Sequence, residues 1–455
     1  MTIPTYAGMG AALSGLEAMQ AGLDTTSQNI ANASNPDYAQ ETVNLVDSPS
    51  LTFYTGGNGN PPVEVGTGVT VQSITRNDDQ FIDGQYWTAN GNSSYYSTLS
   101  SQLTDAQENL NTSASSGLQA AINSFYSSWQ SLSQDTGSTS QSTASSVISS
   151  AQTLVQQLNQ ASQQLSTLQQ QAGSEVTSLS AELQQYAGDV AQLNTQIAGL
   201  SAAGQSSNSL QDQRAAIIGK LSALANIQVQ QQSNGSDTIY LMNNSTTPAT
   251  PVGSPLVQAG TPPSLTSTVN PPAASDLSSI GGSLGAMAQL ADSTPGDPNA
   301  PLEQMKQELD TVASQVAGDV NTASGTQFFV ASDGNPLTPI TAANITVASS
   351  VTNASVAALA NTTAGAVYNT ESDATNQLAT FVSQIGNAVG EVNDSAATAS
   401  SLLTNVSNER QSVSGVSLDQ EMTNLITYQQ GYQASARVMN ALQSVIQSLI
   451  TSVGG

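Results

Sequence analysis

The sequence predicts a mainly α-helical protein with β insertions, built from terminal coiled-coil helices, an elongated helical-bundle body and a small β-rich outer domain. Three observations lead to this prediction. Apolar residues recur at every seventh position at both ends of the chain, and they advance by alternating steps of three and four along much of the middle. Two stretches rich in Pro, Gly, Ser and Thr instead alternate apolar and polar residues, as half-buried strands do.

Each end of the chain carries one amphipathic helix with a narrow apolar stripe. A helix of this kind takes most of its stability from packing its apolar face. We therefore expect the two terminal helices to pair with each other or with other copies of the chain, as in a coiled coil. The residues expected to make these subunit contacts are Met9, Leu13, Leu16, Leu23 and Ile30, with Leu418, Met422, Leu425, Tyr432, Met439 and Ile446.

The middle of the chain predicts long helices. From Leu158 to Leu200 the apolar positions follow a helical period with one extra step at Ala172 to Val176, which is typical of a long helix with a stutter. At a rise of about 1.5 Å per residue this helix spans about 65 Å. Leu210 to Leu224 predicts a returning helix, and further stripes begin at Leu302 and Leu378. The body is therefore expected to be a bundle of elongated helices.

Two insertions interrupt the helical pattern. Residues 227–280 contain Asn234-Gly235, a strong turn signal between two strands. Residues 328–369 contain a second turn at Asp333 to Pro336. We expect the two insertions to form one small β-rich domain on the helical body.

A shorter β section precedes the body. Val63 to Ile74 is expected to form a hairpin arm with the strand near Thr42 to Val46. Asp78 and Asp79 then stand before an apolar stripe, where a carboxylate favours a helix N-cap over acid–base chemistry.

These elements divide the chain into three units. Residues 1–45 with 415–455 form the terminal coiled-coil assembly domain. Residues 46–226 with 281–327 and 370–414 form the elongated helical body with its β-hairpin arm. Residues 227–280 with 328–369 form the β-rich outer domain.

Composition excludes several functional classes. The 455 residues include 6 Lys or Arg and 32 Asp or Glu, a net charge of −26, so the chain lacks the basic patch that nucleic acid or an anionic membrane requires. His and Cys are absent, which excludes zinc sites, Ser-His-Asp and Cys-His catalysis, and disulfides. A carboxylate, Tyr or Lys mechanism remains open on composition alone. We predict a non-enzymatic protein with no catalytic, cofactor-binding or metal-binding residues.

The sequence also predicts how the chain relates to membranes. No apolar run approaches the roughly 18 to 20 residues that span a bilayer, so we expect no membrane insertion. A secretory signal peptide opens with basic residues, whereas the first basic residue here is Arg76. We therefore expect export, if it occurs, to proceed without a cleaved signal peptide.

Residues 27–38 form the most informative motif, Ser-Gln-Asn-Ile-Ala-Asn-Ala-Ser-Asn-Pro-Asp-Tyr. A helix stop is enough to explain its second half, because Pro36 cannot continue a helix. The whole motif resembles the signature of the axial proteins of the bacterial flagellum, in which Asn-Ile-Ala-Asn leads into Thr-Pro-Gly-Tyr. Asn35 and Asp37 depart from that signature. The residues that match it are Asn29, Ile30, Ala31, Asn32, Pro36 and Tyr38.

The C-terminal block strengthens the resemblance. Residues 415–422 and 424–438 are similar to the ending of the hook-associated proteins that join the flagellar hook to the filament. Residues 66–71, the Asp212-Gln213-Arg214 run and residues 281–290 agree with that family. An Arg that the family usually has near Ala291 is lost, and the segment around Gly325 to Phe329 is abbreviated.

The resemblance implies a structural protein of the flagellum at the hook–filament junction, exported by the flagellar type III apparatus and located outside the cell. It implies that the partners are other copies of the chain, neighbouring hook and junction proteins, and an export chaperone that binds the C-terminal helix.

Three alternatives remain at this point. The first is the flagellar hook protein or another axial protein, which would have a mainly β body. The second is a secreted surface adhesin, which would explain the acidic Ser- and Thr-rich composition but would normally carry repeats and a basic signal. The third is a carbohydrate-active enzyme with two carboxylates, which the 4% aromatic content disfavours because sugars stack on aromatic side chains.

Overall fold

The computed structural model describes residues 5–53, 63–110, 117–135, 137, 140–244, 248–260, 268–270, 274–359 and 361–453. The described part is mainly α-helical with small sheets, which confirms the predicted fold class. The helices are α1 (Thr5–Asn32), α2 (Gln80–Asn109), α3 (Leu118–Ser133), α4 (Ser140–Ala202), α5 (Asn208–Leu224), α6 (Gly282–Ala291), α7 (Pro301–Ser324), α8 (Asn353–Ala357), α9 (Asn361–Tyr368), α10 (Glu371–Ser414) and α11 (Leu418–Val453). Among these helices, none combines the length and the apolar character needed to cross a bilayer.

In the part of the chain that the structure describes, short strands make up four small sheets. The strands are β1 (Glu41–Asp47), β2 (Leu51–Phe53), β3 (Val63–Val65), β4 (Val69–Arg76), β5 (Ile227–Gln231), β6 (Asp237–Asn243), β7 (Thr250–Pro251), β8 (Val257–Gln258), β9 (Thr268–Val269), β10 (Phe329–Ala331) and β11 (Ile345–Val347). The largest sheet has the order β5-β6-β8-β9, with β7 paired to β6.

The two longest helices of the body exceed their predicted lengths. Helix α4 begins at Ser140, well before the predicted start at Leu158, and its 63 residues extend about 95 Å. Helix α10 contains the predicted stripe at Leu378 but continues to Ser414. Its second half buries few residues, so apolar periodicity does not mark it.

A large apolar core holds α3, the first half of α4, α7, α9 and α10 together. Its centre is aromatic, because the Trp129 ring lies 5.5 Å from that of Phe328, and the Phe125 ring lies 5.6 Å from that of Phe329. Phe328 and Phe329 follow α7, so the connection after this helix is anchored in the core between the long helices.

A second core lies beside the far half of α4. It joins Leu183 and Val190 of α4 to Leu221 of α5 and to Ile239 of β6. Strands β5 and β6 are antiparallel and are connected through the predicted turn, where Gly235 has a φ of +79° that favours glycine.

The two β insertions lie in different places, which corrects the expectation that residues 227–280 and 328–369 form one outer β-rich domain. Strands β10 and β11 pair only with each other, and Phe329 and Ile345 belong to the large core. The sheet of residues 227–280 contributes to the second core instead. The physical reason is the length of α4. Each insertion packs against a different part of this helix, and these parts are too far apart for the two insertions to meet.

The later part of the predicted arm strand, β4, pairs with β1 as expected, whereas its first residues, Val63–Val65, pair with β2 instead. Strand β1 pairs antiparallel with β4 from Glu41↔Arg76 to Asp47↔Val69, with a register shift after Asn44. The Oδ1 atom of Asp79 accepts a hydrogen bond from the backbone N–H of Phe81 at 2.8 Å, so Asp79 is the N-cap of α2. Strands β1 and β4 are called the arm below, and α2 to α10 with β5 to β11 are called the body.

Candidate assembly interface

Helices α1 and α11 pack against each other in an antiparallel pair. Three of the glycines on α1 face residues of α11 that lie seven positions earlier at each step: Gly8 faces Leu442, Gly15 faces Ser435, and Gly22 faces Tyr428, whereas a Cβ atom at Gly10 would meet nothing within 4 Å. A Cβ atom at Gly22 would lie only 2.7 Å from the Tyr428 ring. The helices therefore approach so closely along this line that a side chain at Gly22 does not fit.

The buried residues of α1 are mostly small. Ala12, Ala18, Thr25 and Thr26 are buried on α1, and Met19 of α1 faces Gly431 of α11. This set differs from the large apolar residues expected to make the contacts. The repeated spacing of Gly8, Gly15 and Gly22 is the sequence signal that could have located the contact line.

The predicted assembly residues flank the contact line. Met9, Leu16, Leu23 and Ile30 are half-buried and Leu13 is exposed on α1. On α11, Leu425, Met439 and Ile446 are half-buried, whereas Leu418, Met422 and Tyr432 are exposed by 53%, 53% and 40%. The pair therefore leaves much of the predicted apolar surface accessible.

The flanking residues of both helices lie on one side of the pair. Gly15 and Tyr428 lie on the contact line. Leu16 follows Gly15 by one residue, which rotates it by about 100° around α1. Leu425 precedes Tyr428 by three residues, which is equivalent to a rotation of about 60° in the same sense around α11. Because the helices run in opposite directions, equal senses of rotation lead to the same side. We call this surface the apolar side; its residues are Met9, Leu16, Leu23, Ile30, Leu418, Met422, Leu425, Tyr432, Met439 and Ile446.

The arm contacts the opposite side of α1. Ser14 precedes Gly15 by one residue, so it is rotated away from the apolar side. Its Oγ atom accepts a hydrogen bond from the backbone N–H of Val69 at 3.2 Å. The arm therefore steadies α1 without covering the apolar side.

Two residues of the sequence motif organise the chain where it leaves α1. Asn29 is buried, and its Oδ1 atom accepts hydrogen bonds from the Tyr38 hydroxyl at 2.7 Å and from the Glu41 N–H at 2.9 Å. Its Nδ2 atom donates to the Glu41 carbonyl at 2.9 Å. Asn29 thus fixes both the turn after α1 and the first residue of β1. Burial, reinforced by the charges of Glu41, Asp212 and Glu421, raises the pKa of the Tyr38 hydroxyl above its usual range.

The other motif residues have local roles. The Asn32 amide donates to the Gln28 carbonyl within α1, and Ile30 is half-buried on the apolar side. Ala31 and Pro36 are exposed. The Asn35 Oδ1 atom accepts the Asp37 N–H at 3.1 Å and closes the turn.

One residue connects the two chain ends. The Gln40 N–H donates to the Ser414 carbonyl at 2.8 Å, and its Nε2 atom donates to the Glu421 Oε1 atom at 2.6 Å. The Gln40 Oε1 atom accepts a hydrogen bond from the Asn77 amide at 3.1 Å. The segment leaving α1, the segment entering α11 and the arm therefore meet at Gln40. We call α1, residues 33–40, the arm and α11 together the terminal unit.

Ion pairs surround this meeting point. The Arg76 Nε atom lies 2.6 Å from Asp212, and the Arg410 Nε atom lies 2.7 Å from Asp83. In a third pair, the Arg214 Nε atom lies 2.9 Å from the Asp237 Oδ2 atom. Three of the six basic residues of the chain are thus used here, although no pattern in the sequence predicted a role for them.

Burial of Glu41 predicts a pH dependence. Burial raises the pKa of the Glu41 carboxyl, and a hydrogen bond with Asn208 opposes the shift only in part. The folded state then binds this proton more tightly than the unfolded state, so the free energy of unfolding rises as the pH falls through the raised pKa. Urea unfolding of the wild type and of Glu41→Gln between pH 7 and pH 4 should show the wild type gaining more stability on acidification. Glu17→Gln, at an exposed position on α1, is the matched control and should follow the wild type; parallel curves for Glu41→Gln and the wild type would contradict this assignment.

Among the described residues, no group of three or more His, Cys, Asp or Glu side chains could hold a metal ion.

Two protein-family models match the chain. The model described as the flagellar hook-associated protein FlgK helical domain matches residues 103–337, just over half of the chain. The model described as the flagellar basal body rod FlgEFG protein C-terminal matches residues 408–452. The first match covers α3 to α7, and the second covers the end of α10 and nearly all of α11.

Curated proteins match over the whole length. Flagellar hook-associated protein 1 of Bacillus subtilis (strain 168) is 28% identical over 99% of this chain and 99% of its own. The protein of the same name from Escherichia coli (strain K12) is 25% identical over 96% of this chain and 98% of its own. Among solved structures, the flagellar hook junction protein FlgK from Burkholderia pseudomallei is 26% identical over 56% of this chain and 45% of that chain, with a TM-score of 0.41.

Proposed function

The chain belongs to the flagellar hook-associated protein family whose helical domain spans residues 103–337, and on this premise we propose that it joins the hook of a bacterial flagellum to the filament. Its role in the flagellum is structural. The whole-length similarity to two proteins named flagellar hook-associated protein 1 supports the junction over the hook itself or another axial protein. The match to a rod protein C-terminal family is confined to residues 408–452 and supports only a common axial ending.

The observation that carries the assembly mechanism is the apolar side of the terminal pair. Identical chains with a net charge of −26 repel one another, so their association needs a favourable contribution from elsewhere. Burying one large apolar side chain contributes about 1.5 to 3 kcal/mol. Leu418, Met422 and Tyr432 are exposed on the apolar side and are available for such burial. We propose that residues 1–45 with 415–455 act as the assembly domain and contact other copies and neighbouring hook and junction proteins through this side.

The route to that location is part of the same proposal. The chain leaves the cell through the flagellar type III apparatus, and it stays outside the cell in the flagellum. An export chaperone that binds the C-terminal helix would cover the exposed apolar residues of α11 before assembly. The protein needs no cofactor for this structural role.

A comparison of charge substitutions on α11 tests the assembly domain. Met422→Asp and Leu425→Asp place a charge on the apolar side, and Leu16→Asp does the same on α1. We expect the purified monomers to unfold like the wild type, because these side chains are exposed or half-buried. Strains that carry the variants should have hooks without filaments and should shed flagellin into the medium.

Ala434→Asp is the matched control, since Ala434 is exposed and lies on the other side of α11. A strain with this variant should stay motile. Normal filaments on strains with Met422→Asp would rule out the apolar side as the assembly surface.

A further inference from the structure

We propose that Arg76 and Arg410 are positioning residues that lock the direction in which the terminal unit leaves the body. This inference goes beyond the proposed function, because it concerns the geometry of one chain and holds whatever the chain assembles with.

Among the described residues, neither apolar core extends from the body into the terminal unit. Both apolar cores of the described residues lie inside the body, and neither contains a residue of α1, the arm or α11. An apolar core holds two parts in one arrangement because close packing resists displacement. Without such a core at the joint, the direction of the terminal unit depends on polar contacts.

Arg410 connects the loop after α1 to two body helices. It lies near the end of α10, and its Nε atom donates to Asp83 Oδ1 of α2 at 2.7 Å. Its guanidinium group lies over the Tyr86 ring of α2, 4.9 Å from the centroid, where a cation is attracted by the ring face. Its Nη1 atom lies 4.0 Å from Asp37, the residue that stands at the Gly position of the axial signature. The Arg410 side chain is therefore fixed between α10 and α2, and it faces the terminal unit at ion-pair distance.

Arg76 makes the equivalent connection from the arm. It is the last residue of β4, its Nε atom donates to Asp212 Oδ1 of α5 at 2.6 Å, and its Nη1 atom donates to Asp78 Oδ2 at 2.6 Å. The same oxygen of Asp212 accepts the Ala39 N–H at 3.5 Å. The Asn208 amide adds a hydrogen bond to the Ile74 carbonyl at 3.0 Å. The start of α5 is thus bound to both the arm and the loop after α1.

The Arg76–Asp212 pair crosses the joint with both side chains shielded from solvent, whereas Arg410 is held by a shielded pair inside the body and faces, across the joint, Asp37, whose side chain is 43% exposed. The side chains of Arg76 and Asp212 are 8% and 12% exposed, and those of Arg410 and Asp83 are 12% and 9% exposed. Salt screens such pairs less than it screens surface pairs. A planar guanidinium group also bonds in fixed directions, so two of them on different elements restrict rotation of the terminal unit.

The test measures the spread of distances across the joint. The chain has no Cys, so Ser400→Cys on α10 and Gln433→Cys on α11 give one pair of spin labels at exposed positions. We expect a narrow distance distribution by double electron–electron resonance in the otherwise wild-type chain. In Arg76→Met/Arg410→Met the distribution should become at least twice as wide.

Three further measurements separate positioning from loss of structure. Lys306→Met, which removes an ion pair with Glu303 inside the body, should leave the distribution unchanged. A label pair within the body, at Gln156 and Ser400, should stay narrow in the double arginine variant. Arg410→Lys keeps the charge but loses the planar contacts and should widen the distribution by an intermediate amount. An unchanged distance distribution in the double variant overturns the proposal. Equal widening of the distribution for the body pair overturns it as well. If the double variant does not fold, an unchanged distribution in Arg410→Lys overturns the proposal instead.

Discussion

Asn29→Ala should destabilise the terminal unit by about 3 kcal/mol, because buried polar groups left without partners cost about 1 to 3 kcal/mol each. The variant would remove the acceptor of the Tyr38 hydroxyl and of the Glu41 N–H, and also the donor to the Glu41 carbonyl. All three interactions are buried and lie where the chain turns from α1 into β1. The Ala side chain can form none of these three hydrogen bonds.

Hydrogen exchange of residues 33–47 measures this effect directly, since the Glu41 amide is one of the groups released. Exchange there should accelerate in Asn29→Ala while exchange in α3 and α7 stays unchanged. Asn32→Ala is the matched control, because Asn32 belongs to the same motif but bonds only to Gln28 of its own helix through its side chain. Equal acceleration in both variants would show that the motif acts as a helix stop alone.

Phe328→Ala should lower the free energy of unfolding of the body by about 3 to 5 kcal/mol, as large-to-small changes of buried aromatics do. Phe328 is 1% exposed, and its ring lies 5.5 Å from Trp129, 5.0 Å from Phe329 and 6.2 Å from Phe125. Its loss leaves a cavity among three other aromatic rings that cannot close it without moving α3.

Phe81→Ala is the control for this substitution, because Phe81 is 73% exposed at the start of α2 and should change stability by less than about 0.5 kcal/mol. Urea unfolding should be followed through Trp fluorescence, since Trp129 reports the affected core. A midpoint for Phe328→Ala within error of that for Phe81→Ala would show that the aromatic cluster does not hold the body together.

Local patterns in the sequence predicted the elements that depend on neighbouring residues. The periodicity after Leu158 indicated α4, and Asn234-Gly235 indicated the β5–β6 turn. The Asp78-Asp79 pair indicated a helix cap, and the structure shows that Asp79 is the residue that caps α2. The motif at residues 27–38 indicated where α1 ends, and the structure adds that Asn29 and Tyr38 bond to each other there.

The helix contact line was missed for a physical reason. A search for apolar periodicity scores large side chains, and it gives no weight to Gly8, Gly15 and Gly22. Those glycines mark the contact because they let the backbones approach. The large residues beside them consequently remain accessible on the apolar side instead of filling the contact between α1 and α11.

By itself, the sequence determined the helical class, the two terminal helices, the arm and the axial motif, because hydrophobic period, capping and turn chemistry act over a few residues. Only the tertiary structure decided which faces of α1 and α11 meet, where the two β insertions lie, and how the terminal unit is held. Arg410 and Asp83 are 327 residues apart, and Arg76 and Asp212 are 136 apart. Such pairs depend on the path of the whole chain, and no local pattern of charge distinguishes these arginines from solvated ones.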